Sequence, residues 1–331
     1  MKKIIKSIVA IVLLQFCSGS FAQDLKYTQY FYSNPLKVNP ASLGMNTDFK
    51  TILNYRTQWA NVDKGFSTAS FTAAFPLYFK NQNQKMDFGL TVLNDKAGAF
   101  NKMDFSLSVG YNLKVSESGF LSFSVIGGYV QKSLDQASLT FDDQYVLGTY
   151  DAANATSANI SRNTLGFVDL GFGMMWYMND AASKLNAYAG FSTYHLNKPN
   201  ETYIDGQGTL PMLFGFQTGV KIKGANSKVD FTPNVNYIYQ ANNQNLAVGL
   251  FIDYHVAETS KLRLGLWYRT SDAIAAMISF DHNYFMFAYS YDMANANLSN
   301  QVIGLNTHEI TLAYKLNMAK KKGVDSAPSI F

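Results

Sequence analysis

The chain has 331 residues, of which 47% are hydrophobic and 15% are aromatic, including 21 Tyr and 25 Phe. Its formal net charge of +4 falls to +1 when the three lysines near the N-terminus, Lys2, Lys3 and Lys6, are set aside. So small a basic surplus argues against a nucleic-acid partner, and a single cysteine excludes a disulfide framework.

Residues 1–22 have the pattern of a secretory signal peptide. The three lysines precede the apolar run Ile8–Leu14, and Ser20-Phe21-Ala22 supplies the small residues that a signal peptidase reads. Cleavage is expected before Gln23. Cys17 raises the alternative of a lipoprotein, although Phe16 directly before it is too bulky for a usual lipobox. Beyond this segment no apolar run approaches 18 residues, so no transmembrane helix is expected.

Residues 23–47 form a leader before the first predicted strand. They contain two Asn-Pro pairs, Asn34-Pro35 and Asn39-Pro40. Each proline fixes its own φ and disfavours a helical conformation at the asparagine before it. The leader is therefore predicted to be an ordered periplasmic plug or strap, and residues 319–331 are predicted to be a periplasmic tail.

Residues 48–318 repeat one unit about fourteen times: a stretch with every second residue apolar, followed by a polar turn. Alternate side chains of a strand point to opposite faces, and nine to eleven tilted residues cross a bilayer. The predicted fold class is therefore all-β, a transmembrane antiparallel β-barrel of about 14 strands in the outer membrane. The predicted strands are 49–60, 66–79, 86–95, 103–115, 119–132, 164–178, 185–195, 211–223, 228–240, 244–257, 260–270, 273–282, 284–294 and 307–318.

The lengths of the predicted connections give an orientation. The long connections, 133–163, 197–210 and 294–306, all fall at the same end of the barrel. In barrels of this kind the short turns face the periplasm and the long loops face the exterior. Because the strand number is even, both termini are expected in the periplasm after removal of the signal peptide.

The alternation also predicts which side chains face the lumen. Arg56, Arg269, Asp292 and Glu309 are expected inside, toward the outer ends of strands around the closing seam. These charges could pair and fix the mouth of the barrel, or they could simply be solvated in a water-filled interior. Trp59 and Trp176 are expected on the lipid face near opposite ends of their strands, as girdle residues.

The period of two predicts that the two faces of a strand tolerate different amino-acid substitutions. Leu250 is expected to face lipid near the middle of its strand, so an arginine there should be costly. Gly249 is expected to face the lumen, where serine should be nearly neutral.

Residues that could carry catalysis or bind a metal are few and scattered. No G-x-S-x-G elbow and no phosphate-binding glycine loop occur in the sequence. The histidines lie on four different predicted strands, whereas a metal site needs its ligands to converge. No catalytic residue, metal site or cofactor is predicted, and an enzyme is not expected. The four histidines are His195, His255, His282 and His308.

Blocks at the two ends of the mature chain resemble a known family. The first is Tyr27-Thr28-Gln29-Tyr30, followed by Asn34-Pro35-Leu36, Asn39-Pro40-Ala41 with Gly44, and Tyr55-Arg56-Thr57-Gln58-Trp59. Near the end stand Trp267-Tyr268-Arg269, Tyr289-Ser290-Tyr291-Asp292 and His308-Glu309-Ile310-Thr311-Leu312-Ala313-Tyr314. In this order the blocks resemble the PorP/SprF family of outer-membrane proteins of the type IX secretion system in Bacteroidota. Thr57, where the family pattern has Asn, and the long tail depart from that pattern. The positions that carry the resemblance are Asn34, Pro35, Asn39, Pro40, Gly44, Tyr55, Gln58, Trp59, Trp267, Tyr291 and His308.

The resemblance implies a barrel that works with the type IX translocon and its periplasmic components in the outer-membrane lipid. It also implies a dedicated secreted cargo protein with a C-terminal sorting domain. Such cargo is often a large, adhesin-like surface protein, and in some cases it serves gliding motility. The alternative function is that of a passive outer-membrane porin or a small hydrophobic-solute transporter. A transporter should show an open lumen and conductance, whereas an adapter should have a blocked lumen and co-purify with a secreted protein.

Overall fold

A computed structural model describes residues 33–46, 48–59, 65–79, 84–146, 149–151, 154, 160–180, 182–203, 208–224, 228–270, 273–294 and 306–316. The predicted signal peptide, the first part of the leader and the predicted tail lie outside these residues. In the part of the chain that is described, no helix has the length and apolar character needed to cross a membrane.

Fourteen antiparallel strands form a closed barrel, which confirms the predicted fold class. Strand β1 pairs with both β2 and β16, and this second pairing closes the sheet. The small hairpin β6–β7 lies outside the barrel sheet, so β5 pairs directly with β8. The strands are β1 Phe49–Gln58, β2 Phe66–Tyr78, β3 Gln84–Ala97, β4 Phe100–Lys114, β5 Gly119–Leu134, β6 Tyr145–Val146, β7 Thr149–Tyr150, β8 Thr164–Met178, β9 Leu185–Tyr194, β10 Leu213–Lys223, β11 Val229–Gln240, β12 Asn243–Ala257, β13 Ser260–Arg269, β14 Ala273–His282, β15 Phe285–Ala294 and β16 Asn306–Leu316.

The inward faces of the barrel strands are largely polar, and the outer surface is apolar. On β4, Ser106 and Ser108 are buried in the interior, whereas Leu107 and Val109 are exposed on the outer surface. The same alternation runs along the other barrel strands, which leaves a continuous band of exposed Leu, Val, Phe and Tyr around the molecule. Such a band suits contact with lipid hydrocarbon, because alternation of this kind lets every strand present an apolar outer face.

Two differences from the predicted strands have simple causes. β3 and β4 are longer than predicted and meet in a two-residue turn, in which Gly98 has a φ of 60°. Polar residues such as Lys96 and Asn101 occupy these strand ends, so the apolar alternation stops before the hydrogen-bonded ladder does. The hairpin β6–β7 was missed within the predicted long loop because strands of two residues show no period.

The connections define two ends of the barrel. The short-turn end carries the connections 79–83, 115–118, 179–184, 224–228, 258–259 and 283–284. The long-loop end carries the connections 59–65, 98–99, 135–163, 195–212, 241–242, 270–272 and 295–305. β1 begins and β16 ends at the short-turn end, so the chain enters and leaves the barrel at that end.

Residues 33–46, hereafter the plug segment, lie inside the barrel. The segment contains the four-residue helix α1 (Pro35–Val38) and the 3-10 helix η1 (Pro40–Met45). Each helix begins with a proline that follows a non-helical asparagine, because a proline at the first helical position loses no hydrogen bond. The Asn39 Oδ1 atom also accepts a hydrogen bond from the Ala41 N–H at 2.9 Å. The segment packs against β3, β4, β5, β8 and β9.

Candidate functional site

Asn39 is the central attachment of the plug segment to the wall. Its side chain is fully buried, and its Nδ2 atom lies 3.0 Å from Gln217 Oε1 on β10. The same atom lies 3.1 Å from the Phe191 carbonyl oxygen and 3.2 Å from the Met174 carbonyl oxygen. One asparagine therefore joins the plug segment to three neighbouring strands of the barrel.

Carbonyl groups of the plug segment are satisfied by side chains of the wall. The Gly44 carbonyl accepts hydrogen bonds from the Tyr177 hydroxyl at 2.6 Å and from Asn112 Nδ2 at 3.1 Å. The Val38 carbonyl accepts one from the Ser192 hydroxyl at 2.8 Å, and the Leu36 carbonyl accepts one from the Tyr194 hydroxyl. Because short helices leave most carbonyls without an internal partner, these wall residues stabilise the segment inside the barrel.

Two lysines add ionic attachments. The Lys37 Nζ atom lies 2.6 Å from Asp104 Oδ2 and donates to the Ser106 hydroxyl at 3.0 Å. From the wall side, Lys85 pairs with Asp87 at 2.7 Å and also donates to the carbonyls of Leu43 and Asn46. Charge-assisted hydrogen bonds are stronger than neutral ones, so both halves of the segment are bound firmly.

Glycines in the wall make room for the plug segment. A Cβ atom on Gly173 would lie 2.3 Å from Asn39 Oδ1, and one on Gly190 would lie 2.8 Å from Asn39 Nδ2. A Cβ atom on Gly89 would lie 2.7 Å from Leu36 Cδ1. A side chain at any of these three positions would therefore clash with the plug segment. They were not predicted, because a glycine adds nothing to the apolar alternation.

An apolar layer lies in the lumen beside the plug segment. Val38 and Met45 belong to one buried cluster with Phe251 and Trp267 from the opposite wall. The rings of Phe251 and Trp267 meet edge to face, with centroids 5.5 Å apart. The plug segment and this layer together occupy the middle of the barrel.

The apolar layer overturns the expectation that Gly249 tolerates serine. A Cβ atom at Gly249 would lie 2.3 Å from Cδ2 of the Trp267 ring. The ring covers the glycine backbone, so the inward-facing position has no room for a side chain. The period of two predicts that Gly249 faces inward, but it does not show that the Trp267 ring lies against the glycine.

Arg56, Arg269, Asp292 and Glu309 lie together near the long-loop end. Asp292 Oδ2 is 2.8 Å from Arg269 Nη2 and 3.6 Å from Arg56 Nη2, so this carboxylate lies between the two guanidinium groups. Arg56 Nε is 3.8 Å from Glu309 Oε2, and Asn54 Nδ2 donates to Glu309 Oε1 at 3.0 Å. None of the four charged residues is more than 4% exposed, which argues against open solvation.

Strand register explains why these four side chains meet. Arg56 on β1 stands directly opposite Glu309 on β16. Arg269 and Asp292 are separated by the whole of β14, whose inward residues at this level are Ala273 and Ala275. Because these alanines are small, the Arg269 side chain reaches across β14 to the carboxylate of Asp292.

A second set of charges lies near the short-turn end and was not predicted. Arg263 and Asp253 form a two-point pair, with Nη2 2.6 Å from Oδ2 and a further contact from Nε to Oδ1. Lys261 lies 3.6 Å from the same aspartate. The remaining pairs of this set are Lys221–Asp230, His255–Asp230 and Lys315–Asp281. In the sequence these residues look like ordinary polar members of alternating strands.

Other positions that carry the family resemblance lie on the outer surface. Tyr55 is exposed on the lipid face, and His308 lies beside Tyr291 with ring centroids 5.1 Å apart. Trp59 packs edge to face on Phe66 at the long-loop end, whereas Trp176 is exposed near the short-turn end. Amphipathic rings at the two membrane boundaries are typical of barrels.

The eleven positions therefore divide into three groups. Asn34, Pro35, Asn39, Pro40 and Gly44 belong to the plug segment. Trp267 belongs to the apolar layer of the lumen, and the Gln58 Oε1 atom accepts a hydrogen bond from Arg56. The third group comprises the outward-facing Tyr55, Tyr291 and His308, together with Trp59, which lies at the end of β1 against Phe66.

The connection between β9 and β10 folds over part of the mouth. The Tyr203 ring lies 5.8 Å from the Phe100 ring and packs against the buried residues Leu165 and Phe167. Glu201 pairs with Lys132 of β5. Burial, together with the charge of Glu201, raises the pKa of the Tyr203 phenol, so this group remains neutral at physiological pH. The described part of this connection therefore lies against β4, β5 and β8.

The histidines remain separate from one another. His195 contacts Asp169 at 2.9 Å, His255 contacts Asp230, His282 contacts Ser260, and His308 contacts Tyr289. Over the described residues, no group of three or more His, Cys, Asp or Glu side chains could hold a metal ion.

Several solved structures are similar to this chain in fold, although their sequence identity with it is low. A deletion mutant of the TodX monoaromatic hydrocarbon channel superposes with a TM-score of 0.56 at 10% identity, covering 86% of this chain and 94% of that one. The CymD monoaromatic hydrocarbon channel superposes with a TM-score of 0.55 at 8% identity, covering 86% of this chain and 93% of that one. A FadL homologue from Pseudomonas aeruginosa superposes with a TM-score of 0.52 at 10% identity, covering 84% of this chain and 92% of that one. These similarities establish the barrel fold alone.

The family comparison covers nearly the whole chain. No curated protein sequence matches it. The model of the family described as "Type IX secretion system membrane protein PorP/SprF" matches residues 19–314. That range includes the plug segment, thirteen of the barrel strands in full and β16 up to Tyr314. The chain is an outer-membrane β-barrel protein that belongs to the PorP/SprF family of the type IX secretion system.

Proposed function

We propose that this barrel is an adapter that binds one dedicated secreted protein and exports it or retains it at the cell surface. The partner is a large, adhesin-like protein with a C-terminal sorting domain, and gliding motility is one process that it would serve. The long-loop end faces the exterior and contacts this partner. The short-turn end, with both termini of the mature chain, faces the periplasm and the secretion machinery.

The observation that carries the proposal is the plug segment, which is bonded to the wall inside the lumen. Asn39 by itself bonds the plug segment to β8, β9 and β10, and further hydrogen bonds join other residues of the segment to the wall. Beside it lie the apolar layer with Trp267 and the buried charges around Asp292. Passage of a solute or of an unfolded chain would require these contacts to break together. A filled barrel is better suited to holding a partner on its outer loops than to conducting.

The distribution of the connections supports the proposed orientation. The connections 135–163 and 195–212 are the longest of the barrel, and both lie at the same end. Long loops on a rigid scaffold commonly carry recognition, and in outer-membrane barrels they face the exterior. A partner already exported would meet this end of the molecule first.

A second candidate function is transport of a small apolar solute. It is favoured by the barrel likeness to TodX and CymD, which are described as hydrocarbon channels, and by the apolar layer inside the lumen. In this case the plug segment would have to move aside during transport, and purified protein in a planar bilayer would show conductance or solute flux.

Deletion of the gene, followed by quantitative proteomics of the cell surface, tests the adapter function. We expect one large surface protein to be lost while other type IX cargo still reaches the surface. Restoring the gene should restore that single protein. An intact surface proteome combined with lost uptake of a small apolar solute would overturn the adapter function and favour the transporter.

A further inference from the structure

Strand β8 extends well beyond its neighbour β9 at the long-loop end. β8 begins at Thr164 and pairs with β5 along its whole length. Its pairing with β9 begins only at Phe172, because β9 ends at Tyr194. The first part of β8 therefore has one paired side and one side without a neighbouring strand among the described residues.

A single side chain covers the first part of this open side. The backbone N–H of Leu170 donates to Asn197 Oδ1 at 3.2 Å, and Asn197 Nδ2 donates to the Val168 carbonyl at 2.6 Å. The Leu170 carbonyl accepts a hydrogen bond from the Leu196 N–H at 3.0 Å. The amide of Asn197 thus imitates the backbone of an adjacent strand over two residues.

Beyond Asn197 the edge is open. In the described part of the chain, the N–H of Val168 and the backbone N–H and C=O groups of Gly166 and Thr164 that face this side have no hydrogen-bond partner. All three residues are exposed, including Gly166, whose exposed surface is almost entirely backbone. Residues 164–168 are hereafter called the β8 edge.

The first part of the β8 edge lies above the apolar belt, and Val168 lies at the boundary of the belt. Val168 stands opposite Tyr129, an outward-facing tyrosine of the kind found at a membrane boundary. The next outward positions on β5 are the polar residues Gln131 and Ser133, opposite Gly166 and Thr164. The open groups of Gly166 and Thr164 are therefore exposed to the aqueous phase at the long-loop end.

The β8 edge lacks the usual protection against strand pairing. Exposed edges are commonly blunted by charged residues, prolines or bulges, but residues 164–168 read Thr-Leu-Gly-Phe-Val and pair with β5 without a bulge. Packing of Leu165 and Phe167 beneath Tyr203 keeps the strand in place. The edge is a rigid, unprotected template for another strand.

We propose that the β8 edge is a strand-addition site, which takes an extended segment of the secreted partner as an antiparallel neighbour of β8. This site rests on the adapter function and specifies how the partner is held. The incoming segment bonds to the open groups of residues 164–168 and displaces the amide of Asn197. Backbone groups supply the binding energy in this mode, and alternate side chains supply specificity.

Charge supports a partner segment with acidic residues. Arg162 precedes the edge and Lys198 follows Asn197, and both are exposed. Neither forms an ion pair with another described residue. Acidic side chains at the two ends of the incoming segment would neutralise these cations and fix its register on β8.

Substitution of Val168 separates the backbone contribution from the side-chain contribution. Val168→Pro removes one open N–H without removing a bond of the β5–β8 ladder, and proline is tolerated at such edge positions. Val168→Ala shortens the side chain but retains the N–H. Both variants should show the heat-modifiable band of a folded barrel. After extraction in mild detergent, we expect the proline variant to retain at least tenfold less secreted partner than the alanine variant.

A photo-crosslinking amino acid in the otherwise unchanged protein tests the geometry independently. Placed at position 164 or 168 in the native outer membrane, it should crosslink to one segment of the secreted partner. Mass spectrometry should show that moving the probe from 164 to 168 shifts the crosslinked residue about four positions toward the partner's N-terminus. The same probe at Phe216, on the lipid face of β10, should give no such product.

The possible results distinguish the two proposals. Equal retention by the Val168→Pro and Val168→Ala variants overturns strand addition and leaves the adapter function standing. Crosslinks to a second copy of the chain, or only to lipid, also overturn it. If the unchanged barrel retains no secreted protein at all, both the adapter function and the strand-addition site are wrong.

Discussion

Removal of the Asp292 carboxylate should destabilise the barrel strongly. Asp292 lies between Arg269 at 2.8 Å and Arg56 at 3.6 Å, and it is 2% exposed. Asp292→Ala would leave two buried guanidinium groups without the carboxylate that lies between them. Breaking a buried ion pair by removing one partner typically costs about 3–5 kcal/mol.

The assay is a denaturant titration of the folded barrel in detergent, followed by heat modifiability and tryptophan fluorescence. Trp267 lies two residues before Arg269 and reports on this region. Asp142→Asn, which removes an exposed loop carboxylate, is the matched control and should change the free energy of unfolding by less than about 0.5 kcal/mol.

A double-mutant cycle makes the prediction specific. In the Asp292→Ala background, Arg269→Ala removes a charge that has lost its partner, so it should cost less than it does alone or even restore stability. Contacting residues show coupling energies of about 0.5–3 kcal/mol. Strictly additive losses, or an Asp292→Ala variant as stable as Asp142→Asn, would refute the pairing and favour independent, solvated charges.

Three further predictions concern the plug segment, the two faces of the wall and the orientation. Asn39→Ala should lower stability by about 1–3 kcal/mol and produce transient openings in planar-bilayer recordings, where the unchanged protein should stay closed. Leu250→Arg should cost about 2–4 kcal/mol on the lipid face, and Gly249→Ser should also be destabilising, by about 1–3 kcal/mol through overpacking, as measured by denaturant midpoints. On intact cells, an impermeant maleimide should label a single cysteine that replaces Asp142 but not one that replaces Lys184.

A specific result would contradict each of these predictions. Gly110→Ser is the control for Gly249→Ser, because a Cβ atom at Gly110 meets its nearest neighbour at an ordinary 3.4 Å. Equal effects at the two glycines would show that contact with Trp267 is unimportant. Unchanged closure and stability of the Asn39→Ala variant would mean that the plug segment does not depend on its central attachment. Labelling at Lys184 instead of Asp142 would invert the proposed orientation.

Much of the barrel could be predicted from the sequence because the membrane imposes one simple requirement. Every strand must show lipid an apolar face, so the period of two persists along the chain, as in Leu246, Val248 and Leu250. The same alternation, combined with strand parity, places Arg56 and Asp292 on the inner face at the same end. Strand ends that extend beyond the lipid, such as those of β3 and β4, escape this requirement and were predicted too short.

The details of the site depend on contacts that alternation does not encode. The Asn-Pro pairs predict ordered turns with extended asparagines, but nothing local shows that Asn39 reaches Gln217 in the middle of the barrel. Gly173 and Gly249 give no periodic signal, and only the structure shows that one accommodates Asn39 and the other Trp267. The β8 edge arises from the difference in length between two neighbouring strands, which depends on where each strand ends.

The proteins that remain with the barrel after mild extraction from its own outer membrane provide the most direct test of the proposed adapter function. We expect quantitative mass spectrometry to find one large secreted protein at a constant ratio to the barrel, absent from a parallel purification of an unrelated outer-membrane barrel. A barrel that purifies alone and conducts small solutes when placed in a planar bilayer would contradict the adapter function.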